Sequence, residues 1–257
     1  MAQNKEVAEA IASDLIPFDD DLLSQGTGLE DASTDDYAIP FLRVLQSMSP
    51  QLKKSDGKYI QEAEEGNLFN TVTESVYDGT EGVLIIPCAY KKKYIEWVTR
   101  ENGGGFVSDN HTASELKACT KDDKGRFIMG NGNQLAETAE YYSIICQDEN
   151  APEQVLLSLA SSALGFSRRW NTMLNNVRVQ NGAGETVPAP MFAYIYRLTT
   201  VPQSNDQYTW MGYSIERVRA TPPHLARAAL EFMKAARAGE VEVKQEQEGI
   251  VDDETPF

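Results

Sequence analysis

Val83-Leu84-Ile85-Ile86-Pro87-Cys88-Ala89-Tyr90-Lys91-Lys92-Lys93-Tyr94-Ile95-Glu96-Trp97-Val98 is the stretch on which the fold turns. Its first six residues form an apolar run behind the turn signals Asp78-Gly79 and Glu81-Gly82, as expected of a buried strand. Residues 89–98 continue the strand with rings and lysines in place of aliphatic groups. Further strands are expected at 141–146 and 155–160, and 42–48 is apolar and mixed. Residues 191–201 and 208–219 read as two long strands joined by Pro202-Gln203-Ser204-Asn205-Asp206, a hairpin. One helix is expected over 162–177. A second is marked by Thr221 as cap, Pro222 in the first turn, Leu225, Ala229 and Met233 on one face, and Gly239 past its end. Five or more strands with few helices place the chain in a mainly β, α+β class. The expected architecture is an elaborated OB-like β-barrel core with flexible acidic termini.

The net charge of −16 over 257 residues is unevenly spread. Residues 1–36 hold ten acids and one lysine, and residues 239–257 hold seven acids and one lysine. The stretch between them is nearly neutral, so the acidity belongs to the ends. This divides the chain into an acidic N-terminal segment (1–36), a core (37–238) and an acidic tail (239–257). Val7, Ile11 and Leu15 are spaced four apart, so residues 5–16 suit a short amphipathic helix that docks on the core or on a neighbouring subunit. A homo-oligomer therefore stays open. Cys88, Cys119 and Cys146 are odd in number and far apart, which suits reduced thiols and a cytoplasmic setting. No run is apolar enough to span a bilayer, and the first residues lack the pattern of a signal peptide. No membrane association is expected.

The chain closes with Asp252-Asp253-Glu254-Thr255-Pro256-Phe257. A large ring at the tip of a polar, acidic stretch stabilises no core of its own. It fits a pocket on another protein whose basic rim takes the carboxylates. Pro256 restricts the backbone and lowers the ordering cost of docking. This ending resembles the C-terminal tip of bacterial single-stranded DNA-binding (SSB) proteins: an acidic run, a hydrophobic residue, Pro and a terminal Phe. Asp252, Asp253 and Glu254 match the acidic run, and Pro256 and Phe257 match the end, while Thr255 stands where that family usually has Ile. The resemblance covers about the last six residues; the rest has neither the bacterial core sequence nor its long Gly/Gln/Pro-rich linker, so the chain more closely resembles a phage-encoded SSB protein, a group with divergent cores and acidic tails. The resemblance implies a protein that coats single-stranded DNA in replication, recombination and repair. It would recruit replication and recombination proteins through Asp252, Asp253, Glu254, Pro256 and Phe257. If phage-encoded, it would act in the host cytoplasm.

Non-specific single-strand binding needs cations along the phosphates and flat rings for the bases. Tyr90, Lys91, Lys92, Lys93, Tyr94 and Trp97 supply both, with Arg100 next and Phe106 after the flexible Gly103-Gly104-Gly105. On a strand, Lys91 and Lys93 share one face, and Tyr90, Lys92, Tyr94 and Glu96 share the other. The same residues equally suit a solvated edge strand with partly buried rings. Arg168 and Arg169 on the first helix can reach DNA, while Trp170, Met173, Leu174 and Val177 follow the spacing of a core face. Phe192, Tyr194 and Tyr196 alternate along one strand, and Tyr208, Trp210 and Gly212 along its hairpin partner, a stripe better suited to a core than to stacking. Lys53, Lys54 and Lys58 mark a basic loop. Lys117, Lys121, Lys124 and Arg126 mark another, expected to be mobile.

Catalysis finds little support. His111 and His224 have no metal-spaced partners, and neither a phosphate-cradling Gly-Lys-Ser/Thr loop nor a nucleophile elbow is present. Asp109, Asp122, Asp123 and Glu140 remain open as acids of a metal nuclease. The expectation is a non-enzymatic SSB protein without cofactor or metal, with single-stranded DNA as partner. The alternatives are an acidic interaction or DNA-mimic protein, and a phage structural or assembly protein.

Overall fold

The two longest central strands are buried on both faces along most of their length, and an extra residue decides how the longest is aimed. The computed structural model describes residues 39–206 and 208–241, together with 19, 21, 24, 26–32 and 243. The expected helix over 5–16 and the tail residues Asp252, Asp253, Glu254, Pro256 and Phe257 lie outside the described residues. In chain order the elements are β1 (Leu42–Val44), β2 (Leu68–Asn70), β3 (Val76–Tyr77), β4 (Val83–Trp97), β5 (Phe106–Ser108) and α1 (Ala113–Ala118). There follow β6 (Thr120–Lys121), β7 (Phe127–Ile128), β8 (Gln134–Ile145), β9 (Glu153–Ala160) and α2 (Leu164–Asn175). The last are β10 (Arg178–Gln180), β11 (Thr186–Pro188), β12 (Tyr194–Ser204), β13 (Thr209–Ala220) and α3 (Pro223–Ala238).

The main sheet is antiparallel in the order β13-β12-β4-β8-β7-β6, with β5 beside β4 and β9 beside β8. It curls into a half-barrel, and the protein is mainly β, as an OB-like barrel requires. Pro87 has no N–H to give to the ladder. The pairing of β4 with β8 shifts there: Pro87 faces Ser143 and Ala89 faces Tyr142, leaving Cys88 as the extra residue of a bulge. The bulge reverses which face each later residue takes. Tyr90 thereby comes onto the face of Tyr141, the two rings 5.1 Å apart.

One face of the sheet packs against α2 and the small β1-β2-β3 sheet, where Ile85, Tyr141, Leu157 and Leu198 meet Leu42, Leu68 and Trp170. The other face packs against α3, whose Leu225, Ala229, Phe232 and Ala236 recur at helical spacing against Ile86, Tyr142, Ile144 and Ile195. Two turns are drawn tightly against β12. Thr200 donates its hydroxyl to the Gly66 carbonyl at 2.6 Å, and its N–H to the Gly79 carbonyl at 2.7 Å. A Cβ on Gly79 would lie only 1.8 Å from the Gly66 oxygen, so no larger residue fits there without moving the turn.

β13, at one end of the curled sheet, and β9, on the far side of β8, do not pair with each other. Residues 40–46 bridge them. Leu156 donates its N–H to the Pro40 carbonyl on the β9 side. On the β13 side the Gln46 side chain imitates a strand, donating to the Met211 carbonyl (2.8 Å) and accepting from its N–H (2.9 Å). This satisfies and blunts the edge at that point.

Several boundaries differ from expectation. Only Leu42–Val44 of 42–48 is strand, and the expected strand at 141–146 is the end of the longer β8. Met191–Ala193 is a 3-10 turn, and the hairpin strands run through Pro202 to Ser204, leaving the turn to 205–208. Thr221 does not cap α3: its hydroxyl is buried without a hydrogen-bond partner among the described residues. Pro222 is the N-cap and Pro223 opens the helix, and neither has an N–H for a side chain to cap. Gly239 ends it in the left-handed conformation, φ +79°. The basic loop 117–126 is ordered: it takes in the end of α1 and all of β6, and Arg126 is buried. Its guanidinium bonds Asp122 (2.7 Å) and Glu101 (3.2 Å), which makes it a fastener for the loop.

Candidate nucleic-acid interface

The lysine-rich half of β4 forms a ribbon with the first half of β8, and the register keeps the two faces apart as alternation requires. The lysines are mostly engaged within the protein. Lys92 pairs with Glu137 at 2.7 Å, and that bond holds its ammonium above the ordinary lysine range. Lys93 lies between Asp109 and Glu140. Burial would lower its proton affinity, but the two carboxylates outweigh burial and raise it. Lys91 rests over the Tyr142 ring, 5.3 Å from its centre. Phosphates approaching this ribbon would meet Glu137, Asp109 and Glu140 beside the ammonium groups. Trp97 is buried, edge-on to Phe106 at 5.8 Å, within a small cluster with Ile95 and Ala136. It presents no face for a base. Tyr90 and Tyr94 are half-buried, and Arg100 is exposed on a 3-10 turn, Arg100–Asn102.

The far end of the ribbon is closed by a polar knot. Glu96, 5% exposed, accepts from Asn133 (2.6 Å), Asn131 (2.8 Å) and the His111 Nε2 (2.8 Å). The His111 Nδ1 meets Glu115 at 2.9 Å, and Glu115 also completes the capping box of α1 with Thr112. A carboxylate at each nitrogen favours the imidazolium form of the ring. Its pKa is raised, by Glu115 first and then Glu96 against some burial. Glu115 is lowered to about 2 by its bonds to His111 and Thr112. The sign follows. The raised histidine contributes stability below its ordinary 6.5 and loses it as pH rises through the folded value. The lowered Glu96 and Glu115 contribute above 4.5 and lose it as pH falls through their folded values. The knot is therefore firmest between those limits. His111→Gln is expected to remove much of the loss in melting temperature that the wild type shows between about pH 5.5 and about pH 8.5. Equal pH profiles for the two proteins would refute this.

Arg168 and Arg169 stand differently. Both are exposed on α2, and neither has a carboxylate partner among the described residues. The ring of the next residue, Trp170, points inward and is fully buried, stacked on Tyr141 at 4.3 Å. The helix follows β9 after a sharp reversal at Ser161, whose φ of +49° is left-handed. That reversal sets the start of α2 beside the unclosed seam between β9 and β13. A cleft of about 600 Å³, counted to its open mouth, lies there. Arg169 and Phe166 line it from the helix, Trp210 and Gln203 from the hairpin, and Ser158 and Gln46 from β9 and the bridging segment. The Trp210 indole donates to Gln203 Oε1 at 3.1 Å. Gln203 can lie flat across the strand only because residue 212 is glycine: a Cβ there would come within 2.4 Å of the amide carbon.

The hairpin stripe is divided. Tyr196 is core and Tyr194 half-buried under Arg217, while Trp210 reaches the cleft. Gln46, Ser158 and Gln203 carry no local signal for a site. Gln46 and Met211 are 165 residues apart, so only the closed fold joins them. Among the described residues no cluster of His, Cys, Asp and Glu could hold a metal ion, and no helix is long and apolar enough to cross a membrane.

A model of the Pam3 phage gp34-like protein family matches residues 9–242, most of the chain and all of the sheet. The chain belongs to that family. It is thereby a phage-type protein. No curated protein and no solved structure matches it. The matched span of this gp34-like chain includes Arg168, Arg169 and Trp210, and it stops short of the acidic tail at 252–257.

Proposed function

We propose that this gp34-like protein binds single-stranded DNA without catalysing a reaction, as a phage SSB protein acting in replication, recombination and repair. The observation that carries the reading is the pair Arg168 and Arg169. Both are exposed and have no carboxylate partner among the described residues, and Arg169 lines an aromatic cleft on a half-barrel. The near-neutral core supports it against a DNA mimic, which would spread acid over the folded surface. The DNA path is assigned to the α2–cleft side, because the ribbon lysines are already matched by carboxylates. The tail, through Asp252, Asp253, Glu254, Pro256 and Phe257, is proposed to recruit replication and recombination proteins. That part rests on the sequence alone.

The test is fluorescence anisotropy with labelled poly-dT over a salt series, using the full chain, a 1–248 truncation and Arg168→Ala/Arg169→Ala. The full chain is expected to bind with a steep salt dependence, and the truncation at least as tightly. Each phosphate contact contributes about 0.7 to the slope of log affinity on log salt for a single strand. The double variant should therefore bind more weakly, with a slope shallower by about 1.4. No binding by the full chain at low salt would remove the reading in favour of an interaction or assembly protein. An unchanged slope would move the DNA path away from α2.

A further inference from the structure

The three tryptophans occupy different environments. Trp170 is stacked on Tyr141 in the core, and Trp97 is buried against Phe106. Trp210 is half-buried, stacks on no other ring among the described residues and lines the seam cleft. Its one polar atom is already engaged by Gln203, which fixes the ring without covering it. The rest of the lining is mixed: Phe166 is apolar, Ser158 and Ser162 bring hydroxyls, and Arg169 is the one cation among the lining residues. A purely apolar ligand would leave Arg169 and the hydroxyls without partners. A bare anion would leave the indole unused. A nucleobase joined to a phosphate matches both, because every base has a flat face for stacking and each is linked to an anionic group.

We propose that the seam cleft seats one unstacked nucleobase of a single strand against Trp210, with the adjoining phosphate on Arg169. This rests on the single-strand-binding reading and makes it specific. The strand enters where the sheet fails to close, between β13 and β9.

The experiment titrates the full chain with oligo-dT while following tryptophan fluorescence, alongside anisotropy of the labelled oligonucleotide. The proteins are wild type, Trp210→Ala and Trp210→Phe, with melting curves for each. Oligo-dT is expected to quench wild-type emission, and the quenching should disappear in both variants, where Trp97 and Trp170 remain. Loss of one stacked base weakens binding about five- to a hundredfold, so Trp210→Ala should fall in that range and Trp210→Phe, which keeps a ring, should recover most of it. If Trp210→Ala melts far below wild type, Trp210→Phe and the wild-type quenching decide alone. Wild-type binding without quenching, or a Trp210→Ala affinity equal to wild type, overturns this inference and leaves the SSB reading standing. No binding of oligo-dT by wild type overturns both.

Discussion

Lys93→Met is expected to lower the unfolding free energy by about 3 kcal/mol at neutral pH, a loss far larger than a surface lysine can account for. Glu140 is fully buried, and its charge is compensated by the Lys93 ammonium at 3.6 Å. Burial already pushes the Glu140 carboxyl above the ordinary carboxylate range, in spite of Lys93. Without the lysine the carboxylate is left in the interior with Asp109 near by. A carboxyl with a raised folded pKa favours the fold below its unfolded value of about 4.5, and this advantage is lost as pH rises through the folded value. The defect should therefore shrink when urea unfolding is repeated at about pH 5. Lys93→Met/Glu140→Leu, which removes both charges, should recover much of the stability, since a buried pair replaced by apolar groups is often neutral. Were Lys93 instead a phosphate ligand, the single variant would keep its stability and lose poly-dT affinity.

This pairing shows which parts of the protein were legible in the chain. The strand at Val83 and the hairpin were, because alternation, turn residues and β-branched runs are local properties. So was the inward side of Trp170, which the helical spacing with Leu174 and Val177 announces. The lysine run was ambiguous for a physical reason. Its neutralising acids come from the adjacent strand and from the loop after β5, and no spacing within the run predicts them. Glu137, Thr138 and Glu140 look like a solvated strand in sequence, yet Thr138 and Glu140 are buried because β9 and the ribbon enclose them. The cleft was illegible for a similar reason. It is the gap between two strands that do not pair, floored by a glycine at 212 and spanned by Gln46. Only Arg168, Arg169 and Trp210 carried a signal, and the chain gave no reason to place them together.

Trp170→Ala is the second large effect, and it separates the packing role of α2 from its proposed DNA role at adjacent residues. The side chain is fully buried, stacked on Tyr141 and packed against Phe166 and Tyr196. Removing it opens a cavity between the helix and the sheet, at a cost of about 3–5 kcal/mol. In a chain of this size that lowers the melting temperature by roughly 10 °C. Trp170→Phe should cost much less. It keeps a ring against Tyr141, and it deletes an indole N–H that is buried without an acceptor among the described residues. Arg168→Ala/Arg169→Ala, one and two positions away, should melt within about 0.5 kcal/mol of wild type, since both side chains are exposed and neither has an ion-pair partner among the described residues. Thermal melts and poly-dT titrations of the three variants set the two roles apart. If the arginine pair proves as destabilising as Trp170→Ala, its effect on DNA binding cannot be assigned to phosphate contacts. If it stays stable and binding falls, the exposed side of α2 meets DNA while its buried side holds the half-barrel closed.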